Sequence, residues 1–346
     1  DRLGDEDMVN AQRGALLDSA APNPSVETLL HAFLPHRFID HTHANAVLAL
    51  TDQANGAELC AEVYGDRVAL VPYLMPGFAL AKVARKVFDD HPDCEGMIVL
   101  KHGIFSVGAS AREAYERMIE FATLAEQRLK RGRRKQVSGA KAPARVAAAD
   151  VAPILRGLVA EATGGAQGWR RMIFEHRRKP EILGFIQGRE VARYASAGVV
   201  TPDHVIRTKP WPLILPAPVA GKLDDFRAAA KAAVAAYADN YRKYFARHNA
   251  KSTPQKKTLD PLPRVILVAG VGMFGLGKSA KDARIAADVA ETAIDIIGDA
   301  EAIGRFESIS ERDIFDVEYW SLEQAKLGKG ADKPLARQVM AVTGGA

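Results

Sequence analysis

The feature that most constrains the fold of this chain is an internal repeat. Residues Gly103–Ala114 match residues Gly272–Ala283 at an offset of 169 residues, with glycine, phenylalanine, serine and alanine at corresponding positions. Each copy follows a short apolar segment typical of a buried strand and precedes a long amphipathic segment typical of a helix. One strand–turn–helix unit is therefore used twice, and we expect the second half of the chain to be a degenerate version of the first.

Histidines near the first copy indicate chemistry. His41 and His43 lie on a predicted strand at 37–43, and alternate strand residues point to the same face. The two Cα atoms would be about 6–7 Å apart, so both rings can converge on one ion. His102 directly precedes the first copy, and three histidines with one open position are typical of a catalytic zinc site. The alternative is a purely structural role for partly buried strand histidines.

Glu27 adds a carboxylate upstream of these histidines. It follows Pro24 and Ser25, which mark the start of a predicted helix at 24–35, so Glu27 is predicted in the first helical turn. One interpretation is that Glu27 only interacts favourably with the helix dipole. The other is that it lies beside a metal and moves a proton.

Four motifs in this order resemble those of the class II, zinc-dependent sugar-phosphate aldolases, whose fold also occurs in adducin-type proteins. The motifs are Pro24–Glu27, His41–His43, Val71–Gly77 and Leu100–Phe105. The resemblance extends over nearly the whole chain, which looks like the aldolase part of a bifunctional aldolase/short-chain dehydrogenase of the rhamnulose-1-phosphate aldolase/alcohol dehydrogenase type.

This resemblance implies residue roles and a fold. His41, His43 and His102 would be Zn²⁺ ligands, and Glu27 the catalytic acid/base. The implied fold is α/β, a mixed β-sheet covered by helices on both faces and followed by the degenerate second copy.

The implied reaction is metal-dependent cleavage of a ketose 1-phosphate, similar to rhamnulose 1-phosphate, with Zn²⁺ as Lewis acid. The products would be dihydroxyacetone phosphate and a short aldehyde. Relatives are often homo-oligomers, so a homo-oligomer is expected. NAD would be needed only by a dehydrogenase domain that we expect to be missing from this chain.

We expect four segments along the chain. They are a metal-binding domain at 1–135, a linker at 136–148, a degenerate second domain at 149–330, and a linker with the start of a truncated dehydrogenase domain at 331–346. Val342–Ala346 resembles the opening of such a domain. Only 26 residues precede Glu27, and none of them forms the phosphate-binding loop of the family.

Local patterns give further expectations about secondary structure. Residues 57–73 are predicted to contain two short strands around a turn at Tyr64–Arg67. Strands are also predicted at 169–175, 181–187 and 191–195, and an alanine-rich helix at 223–248.

Gly272–Ser279 also fits the phosphate-loop pattern G-x-x-x-x-G-K-[ST], with Lys278 available for the phosphates. The first copy has Ala109 in place of this lysine, so we expect the glycines to serve the turn itself. A nucleotide-binding protein is kept as an alternative function.

Two other functions are kept beside it, a non-catalytic adducin-type protein and a Schiff-base aldolase that uses Lys101. A further histidine, His204, is either structural or a polar relic of the metal site in the second copy.

Composition excludes several classes of protein. Hydrophobic content of 48% and net charge of +5 are ordinary for a globular protein. No apolar run approaches the ~20 residues of a membrane helix. Basic runs at 128–135 and 251–257 lack interleaved aromatic residues, so no nucleic-acid partner is expected. Cys60 and Cys94 have no metal-ligand spacing, which favours a reducing cytoplasm.

Overall fold

The computed structural model describes residues 4–132, 146–162, 168–327 and 336–344. The predicted linker at 136–148 falls mostly outside these residues, as do positions 331–335 and 345–346 of the predicted dehydrogenase start. The chain forms two compact units, each described here by itself. The first unit comprises Asp1–Arg133, Val200–Pro202 and Ile303–Gly328, and the second comprises Arg134–Val199, Asp203–Ala302 and Lys329–Ala346.

The first unit alternates helices and short strands. Its elements are α1 (Asp5–Gly14), α2 (Thr28–Phe33), β1 (Phe38–Thr42), α3 (Asn45–Thr51), α4 (Gly56–Tyr64), β2 (Val68–Val71), α5 (Phe78–Asp90), β3 (Gly96–Val99), β4 (Gly103–Gly108) and α6 (Ala111–Gly132). Two later helices, α13 (Glu311–Glu318) and α14 (Ser321–Ala325), belong to the same unit.

The second unit repeats this alternation. Its elements are α7 (Ala148–Leu158), β5 (Glu161–Ala162), β6 (Trp169–Arg170), β7 (Ile173–Arg177), α8 (Pro180–Ile186), α9 (Val191–Tyr194), α10 (Val205–Thr208), β8 (Leu213–Leu215), α11 (Leu223–Asn249), β9 (Val265–Val268), β10 (Gly272–Gly277) and α12 (Ala280–Ile303).

Both units contain a four-stranded mixed sheet with the same topology. The strand order is β1-β4-β3-β2 in the first and β7-β10-β9-β8 in the second. In each sheet the last two strands are parallel and the other neighbours antiparallel. The predicted architecture, a mixed sheet with helices that is followed by a degenerate second copy, is confirmed.

Alternation along the strands sends side chains to two helical layers. On one face, Phe105 packs with Leu80 and Phe88, two of the residues that form the buried stripe of α5. On the other face, Ser106 donates a hydrogen bond to the Ala114 carbonyl of α6, and Tyr64 donates to the Phe121 carbonyl. Burying one such phenylalanine contributes roughly 1.5–3 kcal/mol. The sheet is thus covered on both faces.

The second sheet has an equivalent core. Phe274 of β10 packs with α7 and α11 through residues such as Leu155 and Phe226. Phe274 has the register position of Phe105, since each lies opposite a histidine on the neighbouring antiparallel strand.

Two of the predicted strands are helices. All but the last of the residues predicted as a strand at 181–187 lie in α8, where Pro180 occupies the first turn and buried Ile182, Phe185 and Ile186 recur three and four residues apart. The strand predicted at 191–195 is α9. Short apolar runs of this kind do not separate a strand from a buried helix by periodicity alone.

The first of the two strands predicted within 57–73 is also wrong. Residues Gly56–Tyr64 form α4, with Leu59, Cys60 and Tyr64 buried on one helical face, and only Val68–Val71 is a strand. Across the part of the chain that the structure describes, no helix is both long and apolar enough to cross a bilayer.

Candidate metal centre

His41 is the second-to-last residue of β1, and two contacts fix its ring. Its ring stacks on Phe105 at a centroid distance of 3.9 Å and an interplanar angle of 14°. Its Nδ1 lies 3.0 Å from the Ile104 carbonyl oxygen. Because a carbonyl only accepts, Nδ1 carries the proton and donates it, which leaves the lone pair of Nε2 free for another partner.

His43 lies one residue past the end of β1 and two residues before α3. Its Nε2 is 3.1 Å from Nε2 of His41. Its Nδ1 is 3.2 Å from Oγ1 of Thr201, a buried residue of the first unit that comes from far along the chain. This contact orients the second ring in the way that Ile104 orients the first.

His102 lies in the turn between β3 and β4 and is only 2% exposed. The backbone N–H of His102 donates to the Val99 carbonyl and closes the turn at 3.1 Å. The position of His102 therefore depends on the hairpin formed by β3 and β4, and β4 begins the first copy of the repeat.

Glu27 is the residue immediately before α2, so it occupies the N-cap position and not the first turn that the sequence predicted. Its Oε1 lies 3.1 Å from Nε2 of His102 and 3.3 Å from Nε2 of His41. Burial raises the pKa of the Glu27 carboxyl, but hydrogen bonds and electrostatic interactions with His102 and His41 outweigh burial. The net effect holds this pKa well below its usual range.

The structure therefore brings all four predicted residues together. One potential ligand atom from each of Glu27, His41, His43 and His102 lies within 4.8 Å of the others. The three rings are nearly perpendicular to one another, with centroids 5.0–5.6 Å apart.

Gly103 provides the space for this convergence. A Cβ atom at this position would lie 2.7 Å from the Thr42 carbonyl oxygen, 2.8 Å from Cδ2 of His43 and 2.9 Å from Cε1 of His41. All three distances are shorter than van der Waals contact. Glycine is therefore required here because the two ligand rings approach the backbone closely.

The spacing of the His41 and His43 nitrogens fits a divalent metal. Two imidazole nitrogens that face each other at 3.1 Å repel unless a proton or a cation lies between their lone pairs. Tetrahedral zinc with Zn–N distances of about 2.0–2.1 Å separates its nitrogen ligands by about 3.3 Å. Three imidazoles and a carboxylate also match the donor preference of zinc and related transition metals.

Thr201 was not identified from the sequence. It lies in the half of the chain predicted as the degenerate copy, and no local motif links a threonine at 201 to a histidine at 43. Thr201 lies three residues before the candidate His204, but no sequence pattern indicates that Thr201 contacts His43.

Lys101, the candidate Schiff-base lysine, is held in an ion pair. Its Nζ donates to Oε1 of Glu307 at 2.6 Å and to the Ser308 carbonyl at 3.1 Å. A Schiff-base lysine must have its amine free to attack a substrate carbonyl, whereas these contacts hold Nζ of Lys101 against Glu307 and Ser308.

The phosphate-loop pattern at Gly272–Ser279 is largely a β-strand. Residues Gly272–Gly277 form β10, which pairs with both β7 and β9, so this backbone already forms sheet hydrogen bonds. Ser279 Oγ accepts from Asp282 N at the start of α12. The glycines allow close packing: a Cβ at Gly275 would lie 2.6 Å from the Ala287 backbone nitrogen.

In the second copy the residue that matches His41 in strand register is His176, which the sequence analysis did not single out. His176 lies opposite Phe274 in the same way that His41 lies opposite Phe105. His204 is the last residue of a short 3₁₀ turn that directly precedes α10, and burial lowers its pKa.

Two family models match the chain. The model described as "Class II Aldolase and Adducin N-terminal domain" matches residues 1–129, and "Aldolase class II, second domain" matches residues 146–327.

The proteins that are similar to this chain carry several different names. "Uncharacterized oxidoreductase YuxG" from Bacillus subtilis (strain 168) is 31% identical over 349 residues, which cover 100% of this chain and 50% of that protein. A "Methylthioribulose-1-phosphate dehydratase" from Azotobacter vinelandii (strain DJ / ATCC BAA-1303) is 27% identical over 152 residues, 37% of this chain and 72% of that protein. A solved N-terminal class II aldolase domain from Thermoplasma acidophilum is 37% identical, covers 37% of this chain and 59% of that chain, and has a TM-score of 0.35.

The chain thus spans half the length of the Bacillus subtilis relative. The second-domain model alone matches more than half of the chain, and the N-terminal model includes Glu27 and the three histidines. The chain belongs to the class II aldolase and adducin family.

Proposed function

We propose that this chain is a metal-dependent carbon–carbon lyase that cleaves a ketose 1-phosphate similar to rhamnulose 1-phosphate. The products would be dihydroxyacetone phosphate and a short aldehyde. The observation that carries the proposal is the convergence of Glu27, His41, His43 and His102 within 4.8 Å. Membership of the family supports a lyase that acts on sugar phosphates in general.

His41, His43 and His102 are the proposed metal ligands. Two of the rings have a hydrogen-bond partner on Nδ1, which directs Nε2 inward. When bound there, a divalent ion such as Zn²⁺ supplies a Lewis acid that polarises the carbonyl and the neighbouring hydroxyl of the substrate.

Glu27 is the proposed acid/base. Its carboxylate oxygen lies beside the inward-facing nitrogens of His102 and His41, within reach of a substrate bound at the metal. In the cleavage direction it would accept the proton of the hydroxyl group that becomes the aldehyde oxygen and deliver a proton to the carbon from which the aldehyde departs. In the reverse direction it would remove that proton. A positioned group of this kind contributes about 10²–10⁴-fold to a rate.

The bifunctional arrangement is part of the same proposal. The Bacillus subtilis relative is named an oxidoreductase and is twice as long as the matched span. In such an arrangement a separate NAD-dependent domain would oxidise the released aldehyde. The proposed location is the cytoplasm, in keeping with the free thiols of Cys60 and Cys94, and the proposed assembly is a homo-oligomer.

A second candidate reaction is dehydration of a ketose 1-phosphate. It is favoured by the similarity to proteins named methylthioribulose-1-phosphate dehydratase. Both reactions need a polarised carbonyl and a proton transfer at an adjacent carbon. They differ in the bond that breaks, which is carbon–carbon in the lyase and carbon–oxygen in the dehydratase.

Product analysis separates the two reactions. Zinc-loaded protein would be incubated with rhamnulose 1-phosphate and, separately, with methylthioribulose 1-phosphate. Dihydroxyacetone phosphate would be measured by coupled reduction with NADH, and loss of one water by mass spectrometry. Dihydroxyacetone phosphate from the first substrate supports the lyase, whereas water loss from the second without cleavage of the first would replace it by the dehydratase.

The same assay tests the Schiff-base alternative. Chelator should abolish turnover and Zn²⁺ should restore it, while borohydride added with substrate should not trap a covalent adduct on Lys101. Trapping on Lys101 together with chelator-resistant turnover would reject the metal-dependent reaction.

A further inference from the structure

One of the three candidate ligands lacks the support that the other two have. Nδ1 of His41 donates to the Ile104 carbonyl, and Nδ1 of His43 lies within hydrogen-bond distance of Thr201. Nδ1 of His102 is buried and, within the described residues, has no hydrogen-bond partner. The direction of the His102 ring therefore depends on the backbone of the turn that carries it.

That turn has an unusual residue at its third position. The N–H of His102 donates to the Val99 carbonyl, and the residue before His102, Lys101, has φ of 59°. A four-residue turn with positive φ at its third position favours glycine. The equivalent turn of the second unit has Gly270 there, with φ of 75°. A lysine in this conformation costs free energy, so an interaction that only lysine makes is expected to compensate.

The compensating interaction comes from a segment that we call the clasp, Phe306–Ser308. Nζ of Lys101 donates to Oε1 of Glu307 and to the carbonyl oxygen of Ser308. The lysine side chain is 18% exposed, whereas that of Glu307 is 56% exposed. The lysine side chain is thus largely removed from solvent, and acceptors of the clasp hold its ammonium group.

The clasp also holds the segment that follows His43. The backbone N–H of Glu307 donates to the Asp52 carbonyl at 2.8 Å, and Phe306 forms a β-bridge with Gln53. Asp52 directly follows α3, which begins two residues after His43. The clasp therefore connects the end of the His43–α3 segment to the Lys101–His102 turn.

We propose that Lys101 is a positioning residue. Paired with Glu307, it fixes the His102 turn relative to the His43–α3 segment, and it thereby sets the affinity of the metal centre. This inference rests on the metal site of the proposed function and explains why a lysine occupies a turn position that favours glycine.

Zinc affinity of the full chain tests this role, measured by competition with a chromophoric chelator. Lys101→Met and Glu307→Gln each remove the ion pair at nearly constant side-chain size. We expect each variant to bind Zn²⁺ about tenfold more weakly and to change the visible absorption of the Co²⁺-loaded protein. The double variant should lose no more than the larger single loss, because both substitutions remove one shared contact.

Glu62→Gln is the matched control, because Glu62 pairs with Arg128 and its side chain is 57% exposed. This control should bind Zn²⁺ like wild type. Wild-type affinity in Lys101→Met or in Glu307→Gln, with normal circular dichroism, would overturn the inference and leave the metal site standing. If Lys101→Met does not fold, Glu307→Gln decides alone. A wild-type chain that binds no divalent ion would overturn the proposed function and this inference together.

Discussion

His41 and His176 occupy the same register position in the two sheets, the first opposite Phe105 and the second opposite Phe274. Their surroundings differ. Nε2 of His41 faces two further histidines, whereas Nε2 of His176 lies 3.2 Å from the Val271 carbonyl oxygen, which only accepts. The retained imidazole therefore carries its proton on Nε2 and serves as a donor to the backbone. We expect one metal ion per chain, bound by the first unit.

Gly103→Ala tests the close packing at the metal centre. The added methyl group would overlap with the rings of His41 and His43 and with the Thr42 carbonyl, so at least one ligand must move. We expect zinc affinity to fall by at least tenfold, measured by chelator competition. Gly157→Ala in α7 is the control, because a Cβ there meets no atom within 4 Å. Equal zinc affinity in Gly103→Ala and wild type would show that the rings are not held where the structure has them.

Thr201→Val tests the orientation of His43. Valine keeps the branched shape and removes the hydroxyl that lies 3.2 Å from Nδ1. Loss of such a supporting hydrogen bond typically lowers metal affinity by about 10–100-fold. Thr201→Ser keeps the hydroxyl and should remain within about threefold of wild type. The idea fails if the valine and serine variants bind Zn²⁺ equally well.

Glu27→Gln separates an acid/base from a metal ligand. Glutamine keeps the size of the side chain but cannot accept a proton at the reacting carbon. We expect kcat to fall by about 10²–10⁴-fold while zinc content stays near that of wild type. Zinc loss in parallel with activity would instead make Glu27 chiefly a ligand and would remove the basis for its proposed catalytic role.

Asp52→Asn tests a buried carboxyl at the end of α3. Asp52 is fully buried, and burial raises its pKa well above the usual value, against a hydrogen bond from Thr51 and the charge of Lys101. The folded state therefore holds a proton that the unfolded state releases above about pH 4. As pH rises from about 4 towards the folded-state pKa, this group makes stability fall, by up to about 1.4 kcal/mol per pH unit.

The measurement for Asp52 is thermal unfolding between pH 4 and pH 8. The melting temperature of Asp52→Asn, relative to wild type, should rise as pH increases, because the variant lacks the proton release. Asp150→Asn, at the exposed start of α7, is the control for removal of one carboxyl group that is not buried. A constant difference between Asp52→Asn and wild type across the range would contradict a raised pKa for this carboxyl.

Much of the fold was predictable because the repeat is local in sequence. The matched segments at 103–114 and 272–283 each become a strand followed by a helix, and both adopt the same strand order in their sheets. The strand predictions at 181–187 and 191–195 were wrong because a short buried helix has the same apolar content as a buried strand. Ile182 and Phe185 are such buried residues in α8.

The residues of the candidate site were predictable only where they form a local sequence motif. His41 and His43 are two residues apart, and their shared function follows from strand geometry. Thr201 and Glu307 support the site from 158 and 206 residues away along the chain, measured from His43 and Lys101 respectively. Contacts over such separations depend on the folded arrangement and have no local signature. The positive φ of Lys101 could not be predicted from the sequence either, since lysine is not a typical residue for that conformation.

The central claim is that three histidines distant in sequence hold one divalent ion. Metal content of the purified chain, with His41→Ala and His102→Ala beside it, tests this claim most directly. We expect close to one zinc per chain in wild type, a large loss in both variants, and no loss in His176→Ala. Wild-type protein that remains metal-free after incubation with Zn²⁺, or variants that retain the full complement, would contradict it.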